Sequence, residues 1–164
     1  MFESILITLH NATTLLFGVY ISAAFLGIRM NRKNILILLG FSCAVGLVYI
    51  GTFAIFGEAV TRQVYPFIVH LPLALFLMLF YKYKLVLSLM SVMTGYLCCQ
   101  ISKWVGLLAM ELTQLEWVYY SVRIAATVTV FIVLIRFVSG AASQLIQKPD
   151  KELFILALMP FTYY

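Results

Sequence analysis

The chain has 164 residues, 64% of them hydrophobic and only 10% charged, where a soluble domain carries about 25% charged residues. So few charges cannot solvate the outside of a globule, which excludes an ordinary soluble enzyme, a disordered tail and a disulfide-built secreted module. The net charge of +5 comes from short basic clusters between apolar runs, a pattern that belongs to membrane topology and not to nucleic-acid binding.

A membrane-crossing helix needs about 20 apolar residues, each adding about 1.5 Å. Runs of this kind cover 4–28, 34–56, 64–81, 85–110 and 117–138. The first run has no basic segment before it and is too long for the core of a signal peptide, so it reads as a retained helix. A sixth run covers 153–164, only 12 residues. That is about 18 Å of helix against a hydrocarbon core of about 30 Å. The sixth span is therefore expected to be incomplete, and the chain to be part of a longer protein. The tracts are too long and too uninterrupted for barrel strands, which show about 10 alternating residues each. The expected fold is all-α: a polytopic transmembrane helical bundle of five full spans plus an incomplete sixth. Residues 1–164 form a single membrane-embedded region with no soluble catalytic domain.

The connections set the expected orientation. Arg29, Arg32 and Lys33 follow the first run, Lys82 and Lys84 follow the third, and the fifth connection carries Lys148 and Lys151, offset by Asp150 and Glu152, with Arg136 just before it. The second connection carries Glu58 and Arg62, and the fourth Glu111 and Glu116. The positive-inside rule then places the N-terminus outside and the basic connections in the cytoplasm. Trp104, Trp117, Tyr119 and Tyr120 fall at the expected outer interface, as aromatic belts do.

Ionisable side chains inside spans are the first places to look for function. His70, Lys103 and Arg123 are each expected within about 10 Å of the outer interface. With Gln100 and Trp104 they make the candidate ligand site, an outward-facing basic pocket for a carboxylate or another anion. The same cations also read as snorkelling to the headgroups or pairing with Glu111 and Glu116, and His70 as a satisfied interior histidine. Pro66 and Pro72 flank His70 and loosen the helix ladder there. His10 and Asn11 lie in the outer part of the first span and could face the same cavity.

A second pattern runs along the fourth span. Ser88, Ser91, Gly95, Cys98, Cys99, Ser102 and Gly106 recur at three- and four-residue steps, a stripe of small side chains that lets helix backbones approach closely. It suits packing inside the bundle or against a second copy. The acids number only six, all near helix ends or in connections, and no phosphate-binding loop, dinucleotide fingerprint or HExxH occurs. Cys43, Cys98 and Cys99 have no zinc-ligand or disulfide spacing. No catalytic residue, metal or cofactor is expected.

The stretch from Tyr65 to Leu73 (YPFIVHLPL), followed by Phe80-Tyr81-Lys82, resembles a segment in the N-terminal membrane region of bacterial sensor histidine kinases. So does the run from Ser91 to Gln100 (SVMTGYLCCQ), with Lys103-Trp104-Val105-Gly106 after it. These kinases carry a C-terminal ATPase domain of the GHKL type and are similar in layout to accessory-gene-regulator-like peptide receptor kinases. The resemblance implies a multi-pass protein of the bacterial plasma membrane that takes an extracellular small ligand or peptide. It implies a homodimer formed through the full-length kinase, with further spans, dimerisation helices and the ATP-binding domain following this region. The phospho-accepting histidine of such kinases is cytoplasmic, so neither His10 nor His70 takes that role. The residues themselves leave two other classes open, a small transporter or permease component and a structural membrane partner.

Overall fold

The structure, a computed structural model, describes the backbone of residues 2–146 and the side chains of 5–57 and 59–137. All five long elements are helical, and five segments are long and apolar enough to cross a membrane: Ile5–Phe25, Arg32–Gly57, Ala59–Phe80, Leu85–Thr113 and Glu116–Phe137. The chain is thus a multi-pass helical protein suited to a lipid surrounding. The expected sixth span, 153–164, lies outside the described residues, as do Lys148 and Lys151.

Helix α1 (Phe2–Phe25) closes on a glycine. Gly27 takes φ 69, the Gly27 N–H donates to the Ala24 carbonyl, and the Ile28 N–H reaches back to Ala23. This pairing satisfies the last carbonyls of the helix and needs a residue without a Cβ at the reversal. Helix α2 (Arg32–Tyr65) starts on Asn31, whose side chain accepts from the Asn34 N–H at 2.8 Å. It does not run straight through to Tyr65. Gly57 has φ 76 and ψ 178, a conformation open essentially to glycine alone. Phe41 stacks on Phe76, Tyr49 meets Tyr65 edge-on, and the Tyr81 hydroxyl donates to the Asn34 side chain. These three pairs are centred on Gly57, so the second and third spans form an antiparallel helical hairpin that turns at this one residue.

The connection expected over 57–63 is therefore much shorter, and the third span starts at Ala59, not at 64. It contains a widened turn, Pro66–His70, in which the Leu71 N–H bonds the Pro66 carbonyl five residues back. Proline lacks the amide hydrogen that would continue the regular ladder, and the wider turn absorbs the mismatch before α3 (Leu71–Phe80). Helix α4 (Leu85–Thr113) ends on Gln114 in the left-handed conformation, and α5 (Glu116–Ile146) follows at once. The connection expected from 139 is helical as far as Ile146. The apolar run ends at 138, but a helix can continue past it, and the one glycine at Gly140 costs only about 1 kcal/mol.

Helices α1, α4 and α5 pack on one another as the inner layer, and the α2–α3 hairpin lies against α1 and α4. Val19 and Ile21 of α1 and Leu26 just after it are buried together with Leu73 and Leu77 of α3 and Val92 of α4. The small stripe of α4 is turned into this core: Ser88, Ser91, Gly95, Cys99, Ser102 and Gly106 are all buried and Cys98 is half-buried. A Cβ on Gly95 would meet the Ser22 hydroxyl oxygen at 2.7 Å and the Gly18 carbonyl at 3.3 Å. The stripe is therefore used in contacts within the chain.

The connections after α1 and after α3 share one end of the bundle. Tyr83 donates to the Leu26 carbonyl at 2.8 Å, and Asn34 donates to the Arg29 carbonyl at 2.8 Å. Ile135 of α5 lines one groove with Met30 and Ile35. Arg29, Arg32, Lys33, Lys82, Lys84 and Arg136 thus gather at the same end, opposite Glu111 and Glu116.

Candidate functional site

The five residues of the expected ligand site separate into three places. His70 is buried near the middle of its span and packs between two tyrosines, with ring centroids 5.3 Å from Tyr65 and 4.0 Å from Tyr96. The Tyr65 and Tyr96 hydroxyls lie 3.5 Å apart, and the Tyr96 ring also fills the space beside Gly18. His70 is deeper than expected because its span begins at Ala59, which puts it about 16 Å of helix from the start of the span. It belongs to an aromatic cluster that ties the hairpin to α1 and α4. Lys103 and Trp104 are exposed on the outside of α4, and Gln100 is half-buried. The inward positions of that stretch are taken by Cys99, Ser102 and Gly106, so Lys103 and Trp104 face away from the core. Neither Glu111 nor Glu116 forms an ion pair with Lys103 or Arg123 among the described residues.

Arg123 is the cation that the fold brings inside. Its stem lies over Gly106, where an added Cβ would come within 2.5 Å of the Arg123 Cγ. Its Nη1 donates to the Tyr119 hydroxyl one turn earlier, and its guanidinium carbon sits 5.1 Å from the centre of the Tyr119 ring. The Nε–H is buried and has no hydrogen-bond partner. Gly106 belongs to α4, and His10 of α1 meets Tyr120 on the turn before Arg123, so Arg123 stands near where the three inner helices meet.

On the α1 side, His10 is only 5% exposed and its ring lies 6.0 Å from that of Tyr120. Its Nδ1 has no hydrogen-bond partner, and neither has the Thr14 hydroxyl one turn further along. Three polar side-chain atoms, two on α1 and one on α5, are thus buried without hydrogen-bond partners. In hydrocarbon each such group costs several kcal/mol when left alone. Of these the Arg123 guanidinium carries the charge and an unused donor that suit an anion. Sequence reading found Arg123 and placed His10 near it, but missed Thr14. A threonine inside a span commonly bonds the carbonyl four residues back, as Thr13 does with Leu9 at 2.7 Å, so nothing in the sequence sets Thr14 apart.

No three or more His, Cys, Asp or Glu side chains among the described residues are grouped to hold a metal ion. No family model, curated protein or solved structure matches this chain.

Proposed function

We propose that the chain is the membrane-embedded signal-input module of a bacterial sensor histidine kinase, one that receives an anionic ligand from outside and relays its binding by helix displacement. The observation that carries the reading is Arg123, a cation held among α1, α4 and α5 with no acidic partner among the described residues. Ionisable groups in spans pair with one another or mark a pathway or ligand site. The basic end of the bundle belongs in the cytoplasm by the positive-inside rule, which leaves Arg123 in the outer half. The resemblance over Tyr65–Leu73 and Ser91–Gly106 supplies the kinase side of the proposal.

The energy for signalling comes from the ligand's different affinity for two arrangements of the inner helices. Arg123 leans on Gly106 of α4, and α4 crosses α1 closely at Gly95 and Gly18. Drawing the guanidinium towards His10 shifts α5 against α4, and displacements of about 1–2 Å suffice in known helix-shift switches. The output, like the homodimer contact, lies in the kinase parts.

The test is to express the full reading frame that contains this region, place the product in nanodiscs and follow autophosphorylation. An ATPase domain downstream and a response that Arg123→Gln abolishes, with basal phosphorylation kept, are the expected results. A frame without an ATPase domain, an unchanged response in Arg123→Gln, or solute flux by the chain in liposomes would each overturn the reading.

A further inference from the structure

The basic end of the bundle carries a rim of arginines around the mouth of an apolar groove. The groove runs between α1 and α5 and has a volume of about 450 Å³, inside the range of about 300–1,000 Å³ usual for ligand sites. Phe17 and Tyr20 face Phe131 across it, their ring centroids 6.0 and 6.5 Å from that ring. At the basic end its walls are Met30, Ile35 and Ile135. Each of these stands beside an exposed arginine: Arg29 precedes Met30, Arg136 follows Ile135, and Arg32 lies one turn before Ile35 on the same face of α2. Hydrogen bonds brace the mouth. The Tyr20 hydroxyl donates to the Ile35 carbonyl at 2.9 Å, and the Arg29 carbonyl accepts from the Asn34 side chain at 2.8 Å and from the Asn31 N–H at 2.9 Å. Glu111 and Glu116, the acids whose side chains are described, stand at the opposite end.

We propose that the rim and the groove together hold one anionic phospholipid of the leaflet at the basic end, its phosphodiester on Arg29, Arg32 and Arg136 and one acyl chain between α1 and α5. The site is separate from Arg123 and does not depend on the signalling proposal. Charge complementarity selects an anion, and the guanidinium fork matches phosphate oxygens in pairs. Level selects a lipid headgroup. Arg136 is one residue short of Phe137, where the fifth span ends, and Arg29 is four residues past Phe25, where the first span ends. Both therefore stand at the depth where headgroup phosphates lie. Length selects an acyl chain of one leaflet: from Thr127 to Ile135 the groove runs about 12 Å, within the hydrocarbon of about 15 Å that one leaflet contributes to the bilayer core. The walls surround the chain much as bulk lipid does, so preference for this lipid comes from the arginines.

The probe is palmitoyl-oleoyl phosphatidylglycerol, titrated into the detergent-solubilised protein and counted by native mass spectrometry. One lipid per chain should be retained at saturation, and phosphatidylcholine with the same chains should bind about tenfold or more weaker. Arg29→Gln with Arg136→Gln should lose binding by about the same factor. Lys82→Gln with Lys84→Gln removes equal charge from the same end, beside no wall residue of the groove, and should lose less than about twofold. Val128→Trp fills the groove about 12 Å of helix from Arg136. It should weaken binding of the long-chain lipid and spare dihexanoyl phosphatidylglycerol, whose chains are too short to reach it. Arg29→Lys with Arg136→Lys keeps the charge and should retain most of the binding, which separates loss of the site from loss of the fold. Equal binding of phosphatidylcholine, no loss in the arginine pair, equal losses in the arginine and lysine pairs, unchanged binding in Val128→Trp, or displacement of the lipid by inorganic phosphate would overturn the inference.

Discussion

Replacing Gly95 by alanine probes the contact on which the inner bundle depends. The new Cβ would stand 2.7 Å from the Ser22 hydroxyl oxygen, 3.3 Å from the Gly18 carbonyl oxygen and 3.4 Å from the Ser22 backbone nitrogen. Two of these neighbours are backbone and cannot rotate aside. The third is fixed as well, because Ser22 donates to the Gly18 carbonyl at 2.6 Å. Helices α1 and α4 must separate by some tenths of an ångström, and overpacking of this kind costs about 1–3 kcal/mol. Alanine returns up to about 1 kcal/mol through its better helix propensity, so a net loss of about 1–2 kcal/mol is expected. Ser22→Ala removes the nearest clash, and the double variant should recover part of the loss as a measurable coupling between the sites. Equilibrium unfolding in mixed micelles, followed by circular dichroism, gives these differences. Gly40→Ala is the control, since nothing lies within 4 Å of its added Cβ. Equal stability for Gly95→Ala and Gly40→Ala would refute the close crossing and the core built on it.

Gly57→Ala meets no neighbour within 4 Å, yet should cost about 1–3 kcal/mol through backbone strain alone, because φ 76 at the hairpin turn excludes a Cβ; the same unfolding assay reads it. Gly106→Ala brings a Cβ within 2.5 Å of the Arg123 Cγ and 3.2 Å of the Tyr119 ring, so it should cost about 1–3 kcal/mol as overpacking in the same assay. Tyr83→Phe removes the hydrogen bond to the Leu26 carbonyl and should cost about 0.5–1.5 kcal/mol in the unfolding assay. In a background without Cys43, Cys98 and Cys99, a cysteine replacing Leu115 should react with a membrane-impermeant maleimide on intact cells, and one replacing Lys33 should not; the reverse pattern would invert the proposed orientation.

The amino-acid sequence by itself determined that this is a helical membrane protein with five full spans, because hydrocarbon admits few charges and demands about 20 apolar residues per crossing. Hydropathy is a local sum, so it survives without knowledge of partners. It could also rank Arg123, His70 and Lys103 as unusual, since charge inside a span is visible in one dimension. Which way each side chain turns depends on neighbouring helices, and only the tertiary structure decided that. Lys103 and Ser102 are adjacent in sequence, but the helix puts one outside and the other in the core. His70 went to an aromatic cluster because Gly57, and not a longer loop, makes the hairpin turn, and that lowered the whole third span. Arg123 stayed inside because Gly106, across from it on α4, leaves room for its stem. The meeting of His10 with Tyr120 links residues more than a hundred positions apart in the chain, and it has no signature in the order of the residues, because it is made by packing.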